Sequence, residues 1–512
     1  MSPSPGKPRI GDLLAGVSVA MVLIPQSVAY ASLAGLPPIY GIYASILPPI
    51  IAAFFVSSPY LQTGPVAMTC LLTFAALSAL ATPFSADYIG LAALLALMVG
   101  GIRLLIGITR SGYIAYLMSQ PVISGFTAAA AVIIIITQIP VLFGVSVKEA
   151  GMVRATFTVL IHPQSWSMPA LGLGLVSILI ISFGRKIHAL FPGVLLAVLM
   201  GILYSRFTHY DNAVIGTLPS GLPSLALSLP WSHARELLLP ATIIALIGFA
   251  EPAAIARNMA TKNRQRWSVN REFISQGGAN LASGISNSFP VGGSFSRTML
   301  NYRAGGETPW SGAITGLSVL AFLPFISILE SLPRTVLAAV IISAVIQLVD
   351  FRALYNILIT SPAQGAVGWI TFVLTLVLTP RVDIAVLIAI GLGVAVHLWR
   401  EKRINVISRY ENTTLHLTPV GVLYFGSAPR LGEILIDELA AHQDAEKLLI
   451  DLRKVGRIDY TGALTLQQIA QDAESSNLEV AIVPGDHLQG VRLLKRVFGA
   501  DSHWLSQEPE KN

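Results

Sequence analysis

Two short apolar stretches that follow prolines decide the fold of this chain: TGPVAMTCLLTFAALSAL (63–80) and SNSFPVGGSFSRTMLNYR (286–303). Their apolar parts, 65–80 and 291–303, are shorter than the roughly 20 residues that a helix needs to cross a bilayer. Helices of this length must therefore begin inside the protein. Their first-turn N–H groups lack intrahelical partners and carry the positive end of the helix dipole. Two such ends facing each other across a cavity are expected to form an anion site.

The composition places these stretches in a membrane protein. The 512-residue chain is 54% hydrophobic and 12% charged, with a mean hydropathy of +0.68, whereas soluble domains carry about 25% charged residues. Soluble, disordered and nucleic-acid-binding proteins are therefore excluded. The single cysteine, Cys70, excludes an intramolecular disulfide and a cysteine-based metal cluster. No HExxH motif or phosphate-binding loop occurs, so we predict that the protein is not an enzyme and has no cofactor or metal.

Apolar runs predict an α-helical polytopic membrane domain over 11–403, preceded by a cytoplasmic tail at 1–10. The first run is longer than the apolar core of a signal peptide, so we interpret it as a span. Fourteen runs are candidates for complete or broken spans: 13–34, 39–56, 65–80, 88–108, 121–143, 168–183, 189–205, 237–257, 273–289, 291–303, 311–329, 334–349, 364–379 and 382–399.

Lys and Arg are distributed unequally between alternate loops. The loops predicted to lie inside carry most of them, including Arg103, Arg110 and the dense segment Arg257–Arg271, whereas the outside loops carry few. The positive-inside rule therefore predicts cytoplasmic N- and C-termini, and we expect the protein in a bacterial inner membrane. We interpret Arg257–Arg271 as a topology anchor and not as a ligand site.

The two halves of the membrane domain, about 11–205 and 237–400, repeat the same spacing. At an offset of 225 residues, Gln26 beside Pro25 matches Glu251 beside Pro252, and Pro65-Val66 matches Pro290-Val291. Each half holds seven predicted spans, an odd number, so the second half is inverted in the membrane. Inverted repeats with paired broken helices are typical of transporters whose binding site lies near the bilayer midplane.

The second short stretch carries the groups that an anion site needs. Gly292 and Gly293 allow the backbone to approach a ligand closely, and Ser294 and Ser296 offer hydroxyl donors. Arg297 adds a positive charge at a depth where ionisable side chains are expensive and usually functional. The alternative is a structural arginine that pairs with a cluster of carbonyl groups.

Glu251 is the carboxylate near the middle of a long predicted span. We interpret it as a titratable group that carries a co-transported proton close to Arg297. Its alternative role is a salt bridge to Arg297 that only stabilises the membrane domain. Sodium coupling would require several oxygen ligands around this carboxylate. Because Ala254 and Ile255, one turn later, offer none, the sequence favours protons over sodium.

The composition changes near Tyr410, and residues 410–507 are predicted to form a small cytoplasmic α/β domain. Short apolar runs at 422–426, 448–452 and 478–483 are typical of strands, and 430–443, 461–475 and 488–498 have helical periodicity. Asp459 precedes the second of these helices. We predict that it is an N-cap.

Several motifs resemble the sulfate permease (SulP) family of anion transporters. DLLAGVSVAMVLIPQSVAYASLAGLPPIYGIYAS (12–45) and TGPVAM (63–68) are similar to that family's first span and third-span start. REFISQGGANLASG and GSFSRTMLNYRAGGET, both within 271–308, resemble its ninth and tenth spans, and PRTVLAAVIISAVIQLVD (333–350) resembles its twelfth. The tail is similar to the STAS domain that follows the transporter in this family.

The resemblance implies fourteen spans in two inverted sevens, divided into core and gate domains, usually in a homodimer. Glu251 lies where many members place an acid thought to couple protons. In soluble STAS relatives, one of two hydroxyl residues after the aspartate is phosphorylated. Tyr460 replaces the first of these two residues here, which argues against a phosphoswitch.

Carried over by position, the family's anion site consists of Gln26, Tyr30, Val66, Ala67, Ser296 and Arg297. Gln26 as a polar cap at the Pro25 kink and Tyr30 as a packing residue are the alternatives.

We therefore expect a secondary active transporter of a small anion: sulfate, a C4-dicarboxylate or bicarbonate. Proton symport by alternating access is the favoured mechanism. The alternatives are a sodium-coupled bicarbonate transporter, a passive anion channel or exchanger, and a membrane-tethered sensor. The expected partners are the anion, membrane lipid, a second copy of the chain and a cytoplasmic regulator at the STAS domain.

Overall fold

The computed structural model describes residues 7–145, 152–187, 191–208, 210–219, 221–226, 228–401, 404–485, 488–499 and 502–505. Parts of the predicted tails at 1–10 and 410–507 lie outside the described residues. The chain divides into two compact units, Met1–Ile390 and Gly391–Asn512. The first unit is helical, and the second contains a five-stranded sheet.

Helices and two very short strands form the first unit, and the last helix continues into the second. The two-residue strands are β1 (Thr63–Gly64) and β2 (Gly292–Gly293). In chain order the α-helices are α1 (Ile10–Leu33), α2 (Ile39–Tyr43), α3 (Leu47–Phe55), α4 (Ala67–Leu77), α5 (Ala86–Ile108), α6 (Gln120–Leu142), α7 (Met152–Ile161), α8 (Met168–Ile187), α9 (Gly193–Phe207), α10 (Ala234–Lys262), α11 (Val269–Ile285), α12 (Phe295–Arg303), α13 (Trp310–Phe322), α14 (Arg334–Val345), α15 (Phe351–Thr360), α16 (Pro362–Val377) and α17 (Val382–Glu401).

The helices have the length and composition of a multi-pass membrane protein. Within the described residues, 7 of them are long and apolar enough to cross a bilayer, and further apolar helices of 10–17 residues accompany them. α11 is not among either set because it is rich in polar side chains. The helical membrane fold is confirmed, whereas the count of fourteen spans stays a prediction.

Two groups of helices pack separately within this unit. The first group contains α1, α3, α4, α5 and α10–α13, and the second contains α6, α8, α9 and α14–α16. Contacts of α1 with α9 and α14, and of α4 with α6, join the groups. This division corresponds to the core and gate domains that the family resemblance implies.

The element order repeats between the halves. In each, a long proline-containing helix precedes a helical segment, a two-residue strand and a short helix: α1, α2–α3, β1 and α4, then α10, α11, β2 and α12. The short helices begin later than predicted, at Ala67 and Phe295. β1 lies directly before Pro65 and β2 follows Pro290 and Val291; the two strands pair with each other, antiparallel, with Thr63 opposite Gly293 and Gly64 opposite Gly292.

One predicted loop cation lies elsewhere. Arg103 is within α5, and its side chain is fully buried. The prediction that it belongs to an inside loop was wrong, because its guanidinium finds carbonyl acceptors inside the protein that a sequence does not reveal.

The tail folds as a mixed sheet with three helices. Its strands are β3 (Asn405–Glu411), β4 (Thr414–Leu423), β5 (Lys447–Asp451), β6 (Val455–Ile458) and β7 (Glu479–Val483), and its helices are α18 (Ala428–Ala441), α19 (Tyr460–Ser475) and α20 (Leu488–Phe498). The sheet order is β3-β4-β5-β7, with β6 beside β4. Only the β3–β4 pair is antiparallel. Strand β3 was not predicted because its half-buried and exposed residues alternate without an apolar run.

Asp459 caps α19, which confirms the prediction from its position. One carboxylate oxygen accepts from the Gly462 amide at 2.7 Å, and the other accepts from the Phe425 amide at 3.1 Å. The side chain thus fixes the helix start and the end of β4 together. Tyr460, the next residue, is 63% exposed.

We predict that Asp459→Ala lowers the stability of α19 by about 1 kcal/mol, because two amides lose their acceptor. Hydrogen exchange of the 460–475 amides in the full-length protein should accelerate about fivefold. Tyr460→Ala is the matched control and should leave exchange unchanged. Equal exchange in Asp459→Ala and the parent protein would contradict the capping role.

Candidate functional site

The β1–β2 pair holds the starts of α4 and α12 against each other. A Cβ atom added to Gly293 would lie 2.8 Å from Leu61 Cδ1 and 3.1 Å from Pro252 Cβ, and one on Gly292 would lie 3.2 Å from Val66 Cγ2. The close approach of these segments therefore favours glycine at 293 and at 292. Val66 is the N-cap residue of α4, and both Val66 and Ala67 are buried.

Hydrogen bonds outside the strand pair fix the start of α12. The Ser294 amide donates to the Gln62 carbonyl at 3.0 Å, and the Gln62 amide donates to Thr298 Oγ1 at 3.1 Å. Ser294 is also the N-cap, since its hydroxyl accepts from the Arg297 amide. Ser296, half-buried, lies in the first turn with its hydroxyl 3.3 Å from that of Ser294.

Arg297 lies one turn into α12 and is 1% exposed. Its Nη1 donates to Gln26 Oε1 at 3.5 Å, whereas Nε and Nη2 have no acceptor within the described part of the chain. Buried donors without acceptors are costly, and a buried charge more so. Nε and Nη2 form one edge of the guanidinium, the edge that binds two oxygens of an anion side by side.

Residues of α1, in the other half of the repeat, face this guanidinium. Gln26 is 2% exposed and follows Pro25 inside the helix. Tyr30, one turn later and 6% exposed, interacts electrostatically with Arg297. The structure therefore brings Gln26, Tyr30 and Arg297 together. Their role in binding stays a prediction.

Glu251 lies on α10 beside Pro252 and reaches the N-terminus of α12. The Glu251 carboxylate lies near the backbone amide of Phe295, in the first turn of α12. Glu251 and Arg297 interact electrostatically, but these two residues form no direct ion pair. A simple salt bridge between them, the alternative considered above, is therefore not what holds Glu251 in place.

A cleft of about 260 Å³ leads to these groups between α1, α9 and α12. Gln26 and Ser296 line its inner part, together with Val194 of α9. Arg303 and Gln347 also line it. The cleft lies where helices of the two packing groups meet, so a movement of one group against the other would change access to Arg297.

Polar residues of α11 support the site, and the sequence did not single them out. Asn280 is fully buried, accepts from the Val291 amide at 3.0 Å and donates to the Val291 carbonyl at 3.0 Å. Gln276, one turn earlier, donates to Thr63 Oγ1 at 2.8 Å. Two amide side chains four residues apart in a helix between apolar spans are the signal that could have pointed to them.

A family model supports the same interpretation. Residues 10–371 match the sulfate permease family, and residues 405–486 match the STAS domain. The chain belongs to the sulfate permease family.

Two relatives carry transporter names. The chain is 29% identical over 513 residues to the chloroplastic sulfate transporter 4.1 of Arabidopsis thaliana, covering 92% of this chain and 74% of that one. It is 35% identical over 347 residues to a probable sulfate transporter of Mycobacterium tuberculosis, covering 66% of this chain and 62% of that one.

Solved structures show the same fold. The murine Solute Carrier 26 family member A9 anion transporter, in its inward-facing state, superposes with a TM-score of 0.88 at 19% identity and covers 97% of this chain and 89% of that one. The transmembrane domain of the cyanobacterial bicarbonate transporter BicA superposes with a TM-score of 0.64 at 23% identity, covering 75% of this chain and 97% of that domain.

Family membership confirms several predictions in their general form. This is a multi-pass membrane protein of an anion transporter family with a C-terminal STAS domain. Members of the family are transporters and not enzymes, as predicted.

We predict that Asn280→Ala destabilises the membrane unit by about 1–3 kcal/mol and weakens anion uptake, because the buried Val291 amide loses its acceptor. Thermal unfolding of the detergent-solubilised protein and uptake into proteoliposomes measure the two effects. Gln120→Ala, which removes an exposed amide side chain on α6, is the control. Unchanged uptake in Asn280→Ala would show that the position of Val291 does not matter to the site.

Proposed function

We propose that this protein is a secondary active transporter of a small oxyanion that binds between the N-termini of α4 and α12. The proposal rests on one buried edge of the Arg297 guanidinium, formed by Nε and Nη2. This edge has no acceptor among the described residues and lies at the start of the short helix α12. An anion there would accept from the guanidinium and from first-turn amides together. Gln26, Tyr30, Val66, Ala67 and Ser296 complete the proposed site.

Among the candidate anions, sulfate has the strongest support. The free guanidinium edge suits an anion that presents two oxygens, which sulfate, a C4-dicarboxylate and bicarbonate all do and a halide does not. The two relatives compared above carry sulfate in their names. Bicarbonate is supported by the name of BicA, which shares the fold alone.

We propose proton symport, with Glu251 as the coupling group. An ionised Glu251 carboxylate lies near the Phe295 amide, where its negative charge competes with the substrate for the α12 N-terminus. Protonation removes this negative charge and frees the amide for the incoming anion. Binding of the proton and binding of the anion thereby favour each other.

A sodium ion in place of the proton is the alternative, and it would need oxygen ligands around Glu251. A passive channel is less consistent with a guanidinium that is 1% exposed, because a conducting pore keeps its site open to water. The cleft between the two helix groups supports alternating access, in which one group moves against the other.

We further propose a homodimer in a bacterial inner membrane with both termini in the cytoplasm. The excess of Lys and Arg in alternate loops supports this orientation. The STAS domain would then face the cytoplasm and bind a regulatory partner there. The capping role of Asp459 and the exposure of Tyr460 support partner binding over phosphoswitching.

We predict that Arg297→Gln reduces uptake of labelled sulfate into proteoliposomes at least about tenfold, because charge-assisted hydrogen bonds to the anion are lost. Arg257→Gln, which removes an exposed cation on α10, is the matched control and should transport normally. Parent-level uptake by Arg297→Gln would refute the proposed site. Uptake of labelled fumarate and bicarbonate in the same vesicles identifies the substrate.

We predict that Glu251→Gln abolishes accumulation driven by an inward proton gradient but retains sulfate exchange without a gradient. The amide side chain mimics the protonated carboxylate, so the anion still binds while the proton can no longer be carried. Glu236→Gln, at an exposed carboxylate of the same helix, should behave as the parent. Gradient-driven accumulation in Glu251→Gln would exclude proton coupling through this residue, and a requirement for sodium would favour the alternative.

A further inference from the structure

A second buried arginine, Arg103, lies near the proposed anion site. Arg103 is 0% exposed, and its guanidinium donates three hydrogen bonds to carbonyl oxygens. Nε donates to Ala245 at 3.1 Å, Nη2 to Ile244 at 3.0 Å and Nη1 to Val291 at 3.1 Å. The first two acceptors belong to α10, and the third precedes β2. One side chain of α5 thus holds α10 and the start of β2 together.

The surrounding backbone leaves room for this guanidinium. A Cβ atom on Gly248 would lie 2.8 Å from Arg103 Nη2, so the glycine allows the side chain to reach α10. Val291, which accepts from Arg103, is also held by Asn280 through its amide and its carbonyl. The structural role considered for Arg297, pairing with carbonyl groups, is therefore the one that Arg103 fulfils.

Arg103 and Arg297 both lie close to the strand pair. Val291 is followed by Gly292, which lies opposite Gly64 of β1, and a Cβ atom added to Gly64 would lie 3.5 Å from Arg297 Nη2. Arg103 is therefore connected to the strand pair through Val291, and Arg297 lies beside it at Gly64. An anion bound to Arg297 would lie within the electrostatic field of Arg103, since low-dielectric protein screens charges weakly.

The charge of Arg103 is not neutralised by an ion pair among the described residues. Two other buried carboxylates lie in the same helix group, but each has its own donors. Asp12 accepts from amides and a hydroxyl at Glu307 and Thr308. Glu272 accepts from the amides of Ser57 and Ser58 and from the Trp267 indole. With Glu251 protonated, the site therefore has two buried positive charges.

We infer that Arg103 sets the charge preference of the anion site, so that a divalent oxyanion binds in preference to a monovalent one. This inference rests on the proposed function, because it assigns a second cation to the site at Arg297. Arg103 does not touch the anion. It acts through its charge and by positioning Val291, and its charge attracts a divalent anion twice as strongly as a monovalent one.

The test compares sulfate with formate, which also presents two oxygens but carries one charge. Dissociation constants for each are obtained from the thermal stabilisation of the full-length purified protein at increasing anion concentration. In Arg103→Gln, we expect the constant for sulfate to rise about tenfold more than that for formate. Arg103→Lys keeps the charge and should keep the parent ratio of the two constants.

Two further variants separate charge from packing. Gly101→Ala, on the same helix and with open space at its side chain, is the control and should leave both constants unchanged. Arg103→Met provides a second neutral side chain should Arg103→Gln not fold. If the neutral variants weaken both anions by the same factor, weaken neither, or never fold, Arg103 serves the fold alone and the inference is overturned.

The outcome at Arg297 is independent of this result. If Arg297→Gln leaves both constants at their parent values, the proposed site itself is wrong. If Arg297→Gln abolishes binding and Arg103→Gln changes both constants equally, the site stands and only the charge preference is refuted.

Discussion

The antiparallel pairing of β1 with β2 is the constraint on which the rest of the membrane unit depends. Four residues from opposite halves of the chain exchange backbone hydrogen bonds, Thr63–Gly64 with Gly292–Gly293. In a membrane unit, backbone groups outside helices must find partners inside the protein. This pairing satisfies them and fixes the positions of the starts of two short helices, α4 and α12.

The polar residues around this pair follow from the same requirement. Ser294, Gln62 and Thr298 join the strand ends to α12. From α11, Asn280 holds Val291 directly before β2, and Gln276 holds Thr63 of β1. Each bond has a definite geometry, so the frame is rigid around the two helix starts. In this frame, one edge of the Arg297 guanidinium, Nε and Nη2, has no acceptor among the described residues. A rigid frame with unpaired donors is suited to a ligand that supplies the acceptors.

Much of this arrangement could be predicted from the sequence, because it depends on local signals. The prolines and the short apolar runs predicted the broken helices, and the spacing of Gln26, Glu251 and Arg297 predicted a common site. Asp459 was predicted as a cap because N-cap residues act on amides two or three positions away. The order of the elements and the α/β fold of the tail could also be predicted from composition and periodicity.

What the sequence could not supply depends on contacts between distant segments. Arg103 resembles any arginine at the end of a span, and only its three carbonyl acceptors reveal that it is buried. The pairing of β1 with β2 joins residues more than 200 positions apart, so the later starts of α4 and α12 were not predictable.

The most direct test of the central claim is the location of a bound selenate ion by anomalous scattering from crystals of the protein. The account predicts a selenium peak roughly 4 Å from Arg297 Nε and Nη2, near the first turn of α12, that disappears in Arg297→Gln crystals. A peak elsewhere in the membrane unit, or one that survives the substitution, would contradict an anion site at Arg297.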